Sequence, residues 1–600
     1  MKYIKFLWLL LPLLSSGQKK DRQPNILLIV SDDQGYGDFG FTGNKIVSTP
    51  HLDRLSAEAA LYTHFMVGPA CTPTRASLLT GRNHLDTGVW GVGSRGKVHR
   101  DETMLPKFFN PSGYHTWAFG KMDGGLQMME LNPKDRGFDY FNNNGGGGKC
   151  TSPFPGYCHR TEKGWVAELI TDAALKKIKS ADDEPWLMLM SYIIPHLPWY
   201  CPESYAEPFR EKGYSEDLAQ CYGSIKQMDD QIGRLLKILH EKGQAENTIV
   251  LFMSDNGPVD AVSNRERIVW QNQKNKNVHT DDWQLRNPDK LIGRKGEVWD
   301  NGIRSPLLVR WPGKITPGIR KQAIGVEDLL PTLIDLAQIP EKDQPKHLPF
   351  YGQSFRASLE DLNAVDARVV FRLASGGPGT PSAEMDIIPD ANMIDYSQLH
   401  TVLQSGNYKF HHLPNDKLSL YDIWKDPREL NDLSEIMPEK TLELSRRCRT
   451  EWGAIAKRNR TFPARQLCIN NKDKPSAGRW LLPACHGLNF AGEMERAKFG
   501  LSLLGFRYPG DTATYEVEVQ KSLKVSVVLR GKNLDKCAPI DLQIDGEIIQ
   551  VKHRSAAKIE YSPMKLSKGK IPFRLLVNAH AKAGTHTGEI AKIIFNKSKK

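Results

Sequence analysis

The stretch Cys71-Thr72-Pro73-Thr74-Arg75-Ala76-Ser77-Leu78-Leu79-Thr80-Gly81-Arg82 gathers groups able to do chemistry on an anion. Ser77-Leu78-Leu79 reads as helix, which sets residue 71 near a helix N-terminus. Unpaired backbone N–H groups and partial positive charge favour an anion there. Arg75, one turn on, is a permanent cation able to face the same point. A structural cysteine ahead of an ordinary helix is the plain alternative. Two polar clusters, a carboxylate pair and a carboxylate–amide pair, end apolar runs: residues 24–30 lead into Ser31-Asp32-Asp33-Gln34-Gly35, and 248–253 into Ser254-Asp255-Asn256-Gly257. Such residues ordinarily make turns, caps or hairpins. Functional groups of open α/β sheets also gather at the carboxyl ends of strands. Lys121 follows a short strand-like run in Gly120-Lys121-Met122-Asp123, and His196 follows another in Pro195-His196-Leu197-Pro198. A lone lysine is usually surface and a lone histidine usually structural.

Cys-x-Pro-x-Arg followed by Leu-Thr-Gly-Arg closely resembles the type I sulfatase signature of the alkaline-phosphatase-like superfamily. Thr49-Pro50-His51-Leu52-Asp53-Arg54-Leu55 is similar to the segment leading to the nucleophile in that family. The resemblance implies that a formylglycine-generating maturation enzyme oxidises Cys71 before folding, and that a hydroxyl of the hydrated aldehyde attacks sulfur. It further implies that Asp32, Asp33, Asp255 and Asn256, with residue 71, hold one divalent cation. Three carboxylates and an amide are hard oxygen ligands, suited to Ca2+ or Mg2+ rather than zinc; calcium is the family's usual ion. Arg75, Lys121 and Lys295 take its sulfate-binding positions, and His196 that of the proton donor to the leaving alcohol. The chain departs from the pattern twice. Asp123 stands where the family has a histidine associated with sulfate release, which makes it a candidate base or substrate contact. Asp300-Asn301 replaces Glu-Gly ahead of Gly302-Ile303-Arg304.

Positioning these groups calls for a parallel-sheet architecture. Residues 24–30, 186–190 and 248–253 are apolar enough for strands buried on both faces. Apolar positions 221, 222, 225, 228, 232, 235, 236 and 239 recur at helical spacing and stop near Gly243. Another helix opens over 327–336. Short strands within 399–423 and a helix after Pro438 resemble the small antiparallel subdomain of sulfatases, so the resemblance covers about 22–457. The expected fold is α/β: a large mixed sheet flanked by helices, with a small C-terminal subdomain at about 365–457. A linker over 458–485 and an all-β, sandwich-like domain over 486–600 follow, with an Asp545-Gly546 turn. Carbohydrate binding and a structural cap are equal readings of that last domain. The polar insertion 259–291 is a candidate specificity loop, and residues 142–148 form an Asn/Gly-rich surface loop.

With 40% hydrophobic and 25% charged residues, the 600-residue chain reads as a soluble protein of more than one domain. Its net charge of +12 suits a polyanionic partner. The basic residues look scattered and no nucleic-acid module is visible, so nucleic acid is not an expected partner, whereas a sulfated polysaccharide fits the charge. Lys2, Lys5, the apolar run 6–14 and Ser15-Ser16-Gly17 read as a signal peptide over 1–17. No run is long enough to span a bilayer. Export is therefore expected: secreted or periplasmic, or lysosomal in a eukaryote. If Cys71 is consumed by oxidation, eight cysteines remain, compatible with disulfides; 150/158, 201/221 and 468/485 are the plausible local pairs. Trp90, Trp199 and Tyr200 could stack on a sugar or pack in the core. The functional reading is a calcium-dependent sulfatase acting on a sulfated carbohydrate. A phosphonate or phosphodiester hydrolase of the same superfamily and a catalytically degenerate carbohydrate-binding protein stand as alternatives.

Overall fold

The computed structural model describes residues 22–597 apart from 92–97, 100, 123–135, 143–156, 159–163, 182, 198, 260–283, 363, 365–367, 376–394, 459, 461–466, 470–478, 484–488, 492–494, 497–502, 520–521 and 579. The signal peptide, Asp123, Cys150, Cys485 and most of the 142–148 and 259–291 loops lie outside the described residues.

A nine-stranded mixed sheet is the centre of the molecule. Its strands are β1 (Asn25–Ser31), β2 (Ala60–Met66), β3 (His115–Gly120), β4 (Tyr140–Asn142), β5 (Trp186–Ser191), β6 (Thr248–Ser254), β7 (Arg304–Arg310), β8 (Gly318–Arg320) and β9 (Ile324–Gly325). Across the sheet the order is β8-β2-β7-β6-β1-β5-β3-β4, with β9 also pairing β2. The neighbours β6, β1, β5 and β3 are all parallel, so their carboxyl ends share one edge. Only β7 runs antiparallel, between β2 and β6.

The alternation of side chains along a strand divides the core between the two faces of the sheet. Ile26, Leu28 and Val30 of β1 pack on one face with Leu78, Leu79, Leu330 and Leu333. Leu27 and Ile29 pack on the other with Met188, Phe252, Ile232 and Leu235. Helices α1 (Pro50–Ala57), α3 (Val166–Lys179) and α4 (Glu216–Glu241) cover this second face; α2 (Cys71–Thr80) and α5 (Leu329–Leu336) cover the first. The spacing-based helix is α4. It starts where the Ser215 side chain accepts Leu218 N–H and stops before Gly243, whose φ of 65° ends the turn.

Asp229 of α4 is fully buried and accepts the N–H groups of His51 and Leu52 at 3.0 and 2.9 Å, at the start of α1. Burial pushes its carboxyl from 3.8 up to about 6, against those two bonds. The folded chain thus binds this proton more tightly than the unfolded chain, so its contribution makes stability fall as pH rises from about 4 to about 6. Asp229→Asn should flatten that part of the Tm profile in calorimetry; an unchanged slope would show that Asp229 is ionised throughout.

β10 (Val369–Leu373), β11 (Thr401–Ser405), β12 (Tyr408–Leu413) and β13 (Lys417–Asp422) form an antiparallel sheet in that order. Helix α6 (Pro438–Arg458) packs on it through Leu444, Cys448, Trp452 and Ile455. C-terminal to this helix, a six-stranded and an eight-stranded sheet enclose a separate core that includes Val525, Val527, Leu542, Phe573 and Phe595. Leu467–Ile469 and Arg479–Pro483, within the expected linker, pair with Thr512–Val519 and Gly588–Lys597 of these sheets. Asp545 and Gly546 take φ of 50° and 85°, the left-handed pair of a tight hairpin.

One expectation, the 201/221 disulfide, is corrected, and one open alternative is resolved. Cys201 and Cys221 are not joined in a disulfide, and neither are Cys71, Cys448 and Cys537, the other cysteines whose side chains are described. The Cys201 thiol lies over the bare Cα of Gly223 and against the Gln220 amide, while Cys221 is buried in the α4 core; burial pushes both thiols up to about 12. Trp90 and Trp199 are packing residues. Trp90 meets Trp452 edge-on at 5.9 Å, and Trp199 donates to the Pro195 carbonyl at 2.8 Å.

Candidate active site

The shared edge of β6, β1, β5 and β3 brings together groups far apart in the chain. Asp255 and Asn256 follow β6, Asp32 and Asp33 follow β1, His196 lies five residues beyond β5, and Lys121 follows β3. Cys71 opens α2 beside them, 2% exposed, with Arg75 one turn further on. Lys295 arrives from the loop before β7, its own N–H bonded to the Pro258 carbonyl at 3.0 Å.

Turn geometry aims the carboxylates. Asp33 has a φ of 60°, a left-handed conformation that costs a non-glycine residue on the order of 1 kcal/mol. Its backbone N–H donates to Asp255 Oδ1 at 3.2 Å and its Oδ1 accepts from Asn256 Nδ2 at 2.8 Å, joining the two strand ends. Gly257 must be glycine: a Cβ there would sit 1.7 Å from the Asn301 carbonyl oxygen. The Asp-Asn-Gly sequence therefore serves a close backbone approach and no hairpin.

Cations interleave with the acids. Arg75 donates to Asp255 Oδ2 through Nε at 2.9 Å and Nη2 at 2.7 Å, and to the Lys121 carbonyl and Ser191 hydroxyl through Nη1. Lys121 pairs with Asp32. Lys295 Nζ is 2.6 Å from Asp33 Oδ1. His196 Nδ1 lies 2.5 Å from the Leu197 carbonyl, so Nδ1–H donates there and Nε2 turns to the site, 3.6 Å from Asp33 Oδ2. Burial opposes ionisation of Asp32 and Asp33, yet Lys121 for the first and Lys295, His196 and Lys121 for the second hold them below the usual carboxylate range. Asp255 goes the other way: burial and Asp32 push it up to about 7 despite Arg75. Asp255 is thus the least compensated of the three crowded carboxylates.

That crowding fits a cation. Asp32 Oδ1, Asp33 Oδ2 and Asn256 Oδ1 are buried acceptors without a hydrogen-bond donor among the described residues. Ligand atoms of Asp32, Cys71 and Asp255 lie within 4.8 Å of one another, as do those of Asp32, Asp33 and His196. Oxygen donors of this kind suit a hard divalent ion.

Other site residues leave weaker traces in the sequence. Thr74 accepts from Gly68 N–H at 2.7 Å and donates to the Asp255 carbonyl at 2.5 Å, locking α2 to β6. Asp300 engages the small sheet, pairing with Lys409 at 2.6 Å, while its N–H donates to Glu429. Arg286, at the end of the polar insertion, is buried against Asp38 by two bonds of 3.1 and 2.5 Å. Asp38 in turn accepts Gly35 N–H at 3.0 Å, in the turn beyond Asp33. The guanidinium also lies 5.5 Å from the Trp199 ring, which holds the Pro195 carbonyl next to His196. Arg286 therefore braces both the Asp33 turn and the His196 loop. Arg286→Gln should lower kcat by about 10- to 100-fold with little change in KM. A KM effect alone, in steady-state kinetics, would make it a substrate contact.

The comparisons agree with this geometry. The family model described as Sulfatase matches residues 24–339, more than half of the chain. The chain is 27% identical over 397 residues to the uncharacterized sulfatase YdeN of Escherichia coli, covering 56% of this chain and 66% of that one. It is 30% identical over 357 residues to the ulvan-active sulfatase of Formosa agariphila, covering 54% and 64%. These matches thus span just under two thirds of each relative. Among solved structures, Ps i-CgsB in complex with k-i-k-neocarrahexaose superposes with a TM-score of 0.57 at 22% identity, over 73% of this chain and 94% of that one, a likeness of fold. With the family model laid over the strands that carry Asp32, Asp33, Asp255 and Asn256, and over the helix of Cys71 and Arg75, the chain belongs to the sulfatase family.

Proposed function

We propose that this chain is an exported enzyme that hydrolyses sulfate esters of a sulfated carbohydrate. The observation that carries this reading is the ring of Arg75, Lys121 and Lys295 around residue 71, interleaved with Asp32, Asp33, Asp255 and Asn256. The ulvan-active relative and the neocarrahexaose-bound fold neighbour support a polysaccharide substrate. The basic signal-like start of the sequence supports export.

Asp32, Asp33, Asp255 and Asn256 would hold the cation; their carboxylate and amide oxygens suit Ca2+ or Mg2+, and Ca2+ is preferred as the usual ion of the family. Bound there, the ion would draw charge from a sulfate oxygen, and the hydrated aldehyde formed from Cys71 would supply the nucleophilic oxygen. The remaining work falls to the chain's own side chains. Arg75 and Lys121, both buried, and the half-buried Lys295 would neutralise the sulfate, acting more strongly than the same charges in open water. His196, its Nδ1–H held by the Leu197 carbonyl, presents Nε2 to give a proton to the departing alcohol.

Turnover of p-nitrophenyl sulfate against p-nitrophenyl phenylphosphonate tests the reading, using protein from a host that oxidises the signature cysteine. Sulfate hydrolysis is expected to be faster by at least about 100-fold in kcat/KM. Preference for the phosphonate would overturn the sulfatase assignment, and activity on neither would favour a degenerate, binding-only protein.

A further inference from the structure

The positive charge of the chain is not scattered. Residues 467–600 hold twenty-three Lys and Arg against twelve Asp and Glu, eleven of the twelve net charges, while the preceding 466 residues are nearly neutral. Within this region the two sheets treat their cations differently. On the outer face of the six-stranded sheet Lys570 lies 3.7 Å from Glu516, and Arg574 stands opposite Thr514 and Gln543. These cations have acidic or neutral neighbours.

The eight-stranded sheet is different. Leu523–Lys532 runs through it with Val525, Val527 and Leu529 in the core, so Lys524, Ser526 and Arg530 lie on the other face, with Val528 buried between them. Lys524 stands directly opposite Lys565 of Met564–Leu566, and Arg530 directly opposite Lys558 of Lys558–Tyr561. Like charges opposite one another destabilise a strand pair, and this face has two such pairs. Among the described residues, Glu560, 2.8 Å from Lys558, is the acid paired with one of these four cations. Leu523–Lys532 and Met564–Leu566 contain no acid at all. Arg530 lies six positions beyond Lys524, which places the two cation pairs about 20 Å apart along one strand. Lys524, Arg530 and Lys565 are exposed.

We propose that this outer face, centred on the Lys524/Lys565 and Arg530/Lys558 pairs, binds a sulfated polysaccharide chain and holds the polymeric substrate to the enzyme. The proposal rests on the sulfatase reading for the choice of a sulfated sugar as the polyanion. Two cationic points on a rigid strand can engage sulfates several sugars apart, and repulsion between the paired cations is relieved when an anion bridges them. The catalytic site then works on a chain already at hand.

The test uses the full-length protein and the triple variant Lys524→Thr, Arg530→Thr, Lys565→Thr, since threonine keeps the strand. Affinity electrophoresis at physiological salt takes dextran sulfate as probe, with unsulfated dextran and duplex DNA as comparators. The wild type should be retarded by dextran sulfate and not by dextran, and the triple variant should bind at least about 10-fold more weakly. A control pair on the other sheet, Lys570→Thr with Arg574→Thr, should bind like the wild type, and all three proteins should turn over p-nitrophenyl sulfate equally. No retardation of the wild type, equal loss in the control pair, or DNA bound as tightly as dextran sulfate would overturn the proposal. Dextran sulfate retention that depends on the three cations, in a protein inactive on p-nitrophenyl sulfate, would uphold the surface while sinking the sulfatase reading. Aryl-sulfate turnover without cation-dependent retention would do the reverse.

Discussion

Replacing Cys71 with alanine is expected to remove sulfate-ester hydrolysis by a factor on the order of 10^4 to 10^6 while leaving a folded protein. The side chain sits at the first position of α2, buried, within reach of Asp32 and Asp255. It lies against polar site groups more than core hydrocarbon, so losing one sulfur atom costs about 1 kcal/mol or less of packing. On the proposed mechanism residue 71 supplies the nucleophile, and its loss removes the step that every other site group serves. Arg75, Lys121 and Lys295 would still bind sulfate, so product inhibition constants should change little. Thermal melting and aryl-sulfate kinetics check the pair of effects. A tryptic peptide across residue 71 of the wild type should also have exchanged sulfur and two hydrogens for one oxygen. Residual activity within tenfold of the wild type would place the nucleophile elsewhere.

Asp255→Ala should be nearly as damaging to activity, and unlike Cys71→Ala it should also damage the fold. It removes one carboxylate of the proposed cation site and the anion that receives two bonds from buried Arg75. Breaking such a buried pair from one side costs about 3–5 kcal/mol. The expected outcome is a loss of about 10^3-fold or more in kcat together with a clear fall in Tm. Asp255→Asn keeps the shape and separates the two effects: stability should largely return, activity should not. Exhaustive chelation of the wild type followed by dialysis should reproduce the loss of activity, with Ca2+ restoring it better than Mg2+. Full activity after chelation would show that these oxygens serve no metal.

Much of the placement of the candidate site residues was legible because parallel sheets convert local sequence into shared position. An apolar run followed by Asp-Asp or Asp-Asn-Gly needs only the topology to bring its polar end to the common edge, and residues 25–31 and 248–254 pair directly, in register. The long helix was legible for a similar reason, since its buried positions repeat every three or four residues up to Gly243. By contrast β7, with Pro306 inside an otherwise strand-like run, carries no periodic signal, and its antiparallel insertion between β2 and β6 is set by its partners.

What the sequence determined by itself was therefore the inventory of reactive groups and the elements that end in them, because those depend on neighbours a few residues away. Which cation meets which carboxylate was decided only in three dimensions. Lys295 to Asp33 spans 262 residues and Arg286 to Asp38 spans 248, and neither lysine nor arginine looks different from a surface residue until its partner is known. The cysteines make the same point from the other side. An even count and short spacing favoured a 201/221 disulfide, yet the Cys201 sulfur is seated on Gly223 and Cys221 is buried in α4. The direction of a thiol is a property of packing, which no local pattern encodes.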